Sequence, residues 1–189
     1  MPEKIIKIIC FLLVVFFITS CNEEEAKLIP AEKSYFDLER LILNDIKNNT
    51  RNNCIEEKTV YMNGVKETRK NDSVNWQDEL KPLLECDINK KAWKGKFFAD
   101  TIPNELMKDT TLQYRALSDK VSVRSLSIIY TGSQIKKIII VKKIDSFLFS
   151  TSQIINYIPG IGFIIRGEQK AFLMNTYDLN VDVKYLCKN

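Results

Sequence analysis

The second half of the chain is a succession of short β-prone runs cut by tight-turn signals, and no other feature restricts the fold as much. The runs "VSVRSLSIIY", "IKKIIIVKKI", "SFLFSTSQIINYI", "FIIRGEQKAF" and "YDLNVDVKY" follow one another from residue 121 to 185, divided by "TGSQ", "PGIG" and "MNT". Connections this short join antiparallel neighbours, because a parallel crossover needs a dozen or more residues. In the last run Leu179, Val181, Val183 and Tyr185 face one way, and Asn180, Asp182 and Lys184 the other. "IIIV" at 138–141 is apolar on both faces, the pattern expected of a central strand covered on both sides. β character is expected from about residue 111 onward.

The preceding segment reads differently. Tyr35, Leu38, Leu41, Ile42 and Ile46 recur at helical spacing after Ser34 and Asp37, which predicts an amphipathic helix over 34–48 with a capping box. The asparagines of "KNNTRNN" stop it. "KTVYMNGVKETR" places two β-prone arms around Asn63-Gly64, the strongest short hairpin signal. Trp76, Leu80, Leu83, Leu84 and Ile88 define a second helical face with Asn75 as cap. Pro82 either kinks that helix or opens a second short one. The expectation is an α+β domain: one or two N-terminal amphipathic helices with a hairpin, packed on a curved antiparallel β-meander.

The first 33 residues are of another kind. Lys4 and Lys7 precede an unbroken apolar run, Ile8 to Ile18, of 11 residues. A spanning helix needs roughly 20, whereas a secretory signal has an apolar core of about 7–15. The run ends Ile18-Thr19-Ser20-Cys21, which resembles the bacterial lipoprotein box: an aliphatic residue, two small residues, and the cysteine that is lipidated. The resemblance implies that residues 1–20 are a cleaved signal peptide and that Cys21 carries acyl chains such as palmitate. One chain binds a membrane only marginally, so the two or three chains implied would make a durable anchor. Glu23, Glu24 and Glu25 resemble the export signal of surface lipoproteins in the Bacteroidota. Residues 21–33 are expected to be the lipidated cysteine and a flexible acidic tether, and 34–189 a single α+β domain. The expected location is the cell envelope at the outer membrane, on the periplasmic side or the cell surface. The stretches "KTVYMNGVKE", "WQDEL", "DINKKAWKGKF" and "YIPGIGFIIRGEQKAF" also resemble a family of small lipoproteins of the Bacteroidota. That resemblance supports location and fold and brings no catalytic residue or ligand.

Composition narrows function. Removing the leader takes two lysines and one glutamate, leaving +3 of the chain's +4. No basic block is dense enough for a nucleic-acid stripe, so no nucleic-acid partner is expected. The sequence has no histidine, which removes the commonest general base and zinc ligand and every serine–histidine or cysteine–histidine arrangement. No metal, no cofactor and no enzymatic role are expected. A histidine-free hydrolase would need two carboxyl groups facing each other across a cleft, about 5–9.5 Å apart for glycosidic bonds.

Several residues are candidates for sites. Cys54, Cys86 and Cys187 allow three single pairings. Cys54 with Cys86 is preferred, since each lies near the end of a predicted helix. "DINKKAWKGKF" interleaves cations and aromatics, so Lys91, Trp93, Lys94 and Phe97 could bind a glycan or lipid headgroup through charge and stacking. The alternative is a helix end whose lysines stay wet while Trp93 packs on the sheet. Asp72-Ser73-Val74, Asp100-Thr101-Ile102 and Asp109-Thr110-Thr111 resemble the short O-glycosylation pattern of exported Bacteroidota proteins. This makes Ser73, Thr101 and Thr110 candidate acceptors. The expected role is binding or accessory, with an envelope protein, a glycan or an apolar ligand as partner. The alternative is a carrier or chaperone holding lipid or another apolar ligand in a curved-sheet cavity.

Overall fold

A computed structural model describes residues 34–171 and 176–187. The expected signal peptide (1–20), Cys21 and the tether (21–33) lie outside the described residues. In chain order the elements are α1 (Leu38–Arg51), β1 (Ile55–Met62), β2 (Val65–Asn71), α2 (Trp76–Glu79) and α3 (Lys81–Leu84). A 3-10 turn (Lys91–Trp93) precedes β3 (Phe97–Asn104), β4 (Asp109–Ala116), β5 (Val123–Thr131) and β6 (Gln134–Asp145). The chain continues through β7 (Phe149–Ile158), β8 (Gly162–Ala171) and β9 (Tyr177–Leu186).

All nine strands form one open antiparallel sheet in the order β2-β1-β9-β8-β7-β6-β5-β4-β3. From β3 to β9 it is a meander, of which the turn spacing predicts β5 to β9. β9 then pairs with β1, Ile55 opposite Leu186 and Met62 opposite Leu179. β2 and β3 therefore occupy opposite edges, so the segment 72–96 between them must cross a face of the sheet. That segment brings Trp76, Leu80, Leu83, Cys86 and Ile88 into the core beside Leu38 and Ile42 of α1. A fully buried side chain of this size contributes about 1.5–3 kcal/mol.

Register explains the sheet's contribution. Tyr114, Leu126, Ile140, Ile155, Ile165, Val181 and Val60 sit opposite one another on successive strands, from β4 through β9 to β1. A second row joins Leu112, Ile128, Ile138, Tyr157, Phe163 and Val183. These rows face the helices and hold most of the buried apolar sheet residues.

Local expectations fare variously. Asn63 and Gly64 both take positive φ, 50° and 82°, in a two-residue hairpin turn. α1 begins at Leu38 instead of Ser34, and Asp37 is itself the cap, accepting the Arg40 N–H at 2.8 Å. Residues 35 and 36 are drawn away from the helix: Asn89 Oδ1 accepts the Tyr35 N–H, and the Tyr114 hydroxyl accepts the Phe36 N–H. Pro82 opens a second short helix, α3. The preferred Cys54–Cys86 bridge does not form. Cys54 is bonded to Cys187, because the β1–β9 pairing brings the start of one strand beside the end of the other. Cys86 is a free thiol, fully buried, donating to the Pro82 carbonyl. Among the described residues no helix is long and apolar enough to cross a membrane.

Candidate functional site: the face of the sheet away from the helices

Side chains alternate along a strand, so the core rows fix the other face. Ile139, Asn156, Ile164 and Asp182 lie opposite one another there, as do Val141, Ile154, Arg166, Asn180 and Tyr61. No described helix covers this face. Ile139 and Val141 remain half-exposed, so the expectation that "IIIV" is covered on both sides is met only on the helix side.

Two cavities lie along β8 on this face. One, of about 460 Å³, is lined by Tyr61, the Asn63-Gly64 turn, Ile154, Arg166, Glu168, Asp178 and Asn180. The other, of about 370 Å³, lies toward the β7–β8 turn, among Ile158, Ile161, Ile164, Lys137, Lys184 and Asp182. They meet at Arg166, which lines both. The exposed Arg166 guanidinium makes no hydrogen bond or ion pair with a described residue. The half near the β7–β8 turn sets three cations, Lys137, Arg166 and Lys184, against the single carboxylate of Asp182. The isoleucines there offer an apolar wall. A guanidinium is a rigid fork that matches a carboxylate or phosphate in two-point contact. An anion with an apolar body fits that half.

A second polar cluster lies on the helix side. Both carboxylate oxygens of Glu79 accept from Lys58 Nζ at 2.7 Å. The same Nζ lies 3.4 Å from Glu56 Oε1, and Glu56 is fully buried. Burial raises the Glu79 carboxyl above its ordinary value, against the lowering influence of Lys58. Burial, then the charges of Asp45 and Glu79, push the Tyr185 hydroxyl far up as well. A cavity of about 300 Å³ lies beside Glu79 and Lys58, between α2–α3 and the sheet. Lys58 bonds Glu79 and pairs with Glu56 at 3.4 Å, and Glu56 in turn adds to the raising of the Glu79 carboxyl. Among the described residues no cluster of three or more His, Cys, Asp or Glu could hold a metal ion.

The residues singled out in the sequence do not converge on either place. Lys91 and Lys94 are exposed around the 3-10 turn, and Trp93 packs half-buried at the edge of the core with Lys90 Nζ 4.4 Å over its ring. Phe97 is not on a surface at all. It is buried against Tyr35 and Trp93, so the aromatic part of the expected glycan or headgroup surface is largely spent on packing. Ser73, Thr101 and Thr110 are exposed. The groove along β8 was missed. Its signal was the adjacent pairs Ile154-Ile155 and Ile164-Ile165, which make β7 and β8 apolar on both faces. Compared with known proteins, the chain has no significant match to any family model, curated protein or solved structure.

Proposed function

We propose that this is a lipid-anchored protein of the cell envelope that acts by binding, with the groove along β8 as its ligand site. In this reading residues 1–20 are removed, Cys21 carries the acyl chains, and residues 21–33 tether the domain to the outer membrane. The groove runs along β8, with the helices packed on the other side of the sheet. The observation that carries the binding role is the meeting of two cavities at the free Arg166, on a face that no described helix covers. The absence of histidine, and the engagement of Glu56 and Glu79 by Lys58, favour binding over catalysis.

The ligand is an anion with an apolar body. Its charge meets Arg166, Lys137 and Lys184, and its apolar part lies on Ile158, Ile161 and Ile164. Anilinonaphthalene sulfonate has both features and serves as the probe. Fluorescence titration is expected to show saturable binding, weakened about tenfold or more in Arg166→Gln, since a charge-assisted contact contributes about 1.5–3 kcal/mol. Equal affinity in Arg166→Gln would remove the groove reading. Incorporation of labelled palmitate, abolished by Cys21→Ala, tests the anchor separately. Protease shaving of intact cells distinguishes the surface from the periplasmic side.

A further inference from the structure

In the antiparallel sheet the turns alternate between two ends. The β1–β2 and β6–β7 turns and the β4–β5 connection share one end, because Met62 pairs with Leu179, Asp145 with Ser150 and Phe97 with Ala116 in a sheet that is antiparallel throughout. Each of these connections presents apolar side chains to solvent. Val65 is 69% exposed, Leu117 65% and Leu148 62%, and Met62, Phe147 and Phe149 are exposed beside them. Soluble turns are ordinarily polar, and a cluster of apolar tips marks an interaction site.

The described chain also enters at this end. The Tyr35 ring rests on Phe97, the first residue of β3, and on Tyr114, near the end of β4, with ring centroids 5.6 Å apart in each case. From there α1 runs to Cys54 at the opposite end. Residues 22–33 reach about 40 Å when fully stretched. A chain held at Cys21 would enter the described domain at this end. Exposed Lys66, Lys96, Lys120 and Lys170 stand around the apolar tips and form no ion pair with a described residue. The carboxylates of Glu67, Asp119, Glu168 and Asp178 are interspersed with them. At the opposite end Leu106 and Met107 are exposed on the outermost hairpin, and Ile158 and Ile161 at the β7–β8 turn, where they line the groove.

We propose that this end of the sheet docks on a lipid bilayer: Leu148, Phe149, Met62, Val65 and Leu117 enter the headgroup boundary while the lysines meet anionic headgroups. Apolar area plus attraction to anionic lipid is what binds an interfacial element. The direction of the tether rests on the lipid-anchor reading. The apolar end does not, and the test separates the two.

The chain from residue 22 onward, with no lipidated cysteine, is sedimented with vesicles of phosphatidylethanolamine and phosphatidylglycerol. All buried apolar residues of the described core lie between Leu38 and Tyr185, so this chain retains the whole core. Binding is expected, reduced about tenfold or more by Leu148→Ser with Phe149→Ser, because each removes apolar surface from the lipid. Leu106→Ser with Met107→Ser is expected to leave binding unchanged. As a second readout, Leu148→Trp should shift its emission to the blue with vesicles, and Leu106→Trp should not. No vesicle binding, equal loss in both double variants, or a blue shift only at position 106 would overturn the proposal. Loss of palmitate incorporation in Cys21→Ala bears on the anchor alone.

Discussion

Tyr157, in the central strand β7, donates a 2.6 Å hydrogen bond to Asp45 Oδ2 on α1, a residue 112 positions earlier. The same oxygen accepts the Gly160 N–H at 2.7 Å, so one buried carboxylate fixes the helix, the strand and the β7–β8 turn together. Burial, and then the charge of Asp45, push the Tyr157 hydroxyl far above its ordinary value, so it remains a donor at any pH the protein meets. Tyr157→Phe is expected to cost about 1.5–3 kcal/mol, the usual contribution of a hydrogen bond to a charged group. Asp45→Ala should cost more, since it strands the buried Tyr157 hydroxyl and also releases the β7–β8 turn at the Gly160 N–H. Urea unfolding followed by tryptophan fluorescence measures both, and a Tyr157→Phe midpoint equal to the parent's would refute the assignment.

The Cys54–Cys187 disulfide joins residues 133 positions apart. Closing so long a loop restricts the unfolded chain, and the entropic estimate is about 5 kcal/mol, an upper figure for what is measured. Cys54→Ala with Cys187→Ala should lower unfolding stability by about 2–5 kcal/mol. Cys86 should resist a thiol reagent in the folded protein, because burial pushes its thiol up to about 11. Rapid labelling of Cys86 in the oxidised native protein would contradict its burial, and labelling of Cys54 or Cys187 would contradict the pairing.

That pairing also shows where the sequence stops being informative. The meander was legible because alternation and turn residues are local: Leu179 to Tyr185 alternate, and Asn63-Gly64 dictates a two-residue turn. The pairing of β1 with β9 depends on closure over the whole domain, and no local feature near Cys54 announces Cys187. β3 escaped notice because "FFADTIPN" contains Pro103, which an interior ladder would refuse. As an edge strand β3 needs hydrogen bonds on one side only, and Pro103 pairs with Thr110 there. The groove depends on register too: Arg166 meets Tyr61 in one cavity and Lys137 in the other only once the strands are paired.

Asp109 begins β4 and accepts from Lys136 Nζ at 2.8 Å and Thr131 Oγ1 at 2.6 Å. These bonds, Lys136 first, hold its carboxyl below the ordinary value. The folded state therefore takes up the proton less readily than the unfolded chain. Its stabilising contribution is present above the unfolded value, about pH 4, and is lost as pH falls through the lowered folded value. Asp145, lowered by Ser150 and then Lys143, adds in the same direction. Asp109→Asn should flatten the fall of unfolding stability between about pH 4 and pH 2. An unchanged slope over that interval would mean that the pairing with Lys136 does not persist in solution.

Gly162 opens β8 at the end of the groove, with φ at +152°, and a Cβ built there would lie 2.0 Å from the Val183 carbonyl oxygen. That oxygen belongs to the backbone of β9 and cannot swing aside, so Gly162→Ala must part the two strands or deform the turn. Gly132 separates the two penalties. It also has positive φ, +60°, but nothing lies within 4 Å of its missing Cβ. Gly132→Ala should cost only the left-handed backbone penalty, about 1–2 kcal/mol. Gly162→Ala should exceed it by about 2 kcal/mol or more, the range of a backbone clash in a packed site. The damage should also be local: the Tyr185 N–H, which donates to the Ile161 carbonyl at 2.8 Å, should lose hydrogen-exchange protection. Equal destabilisation by the two substitutions, with Tyr185 still protected, would show that β8 and β9 do not approach this closely.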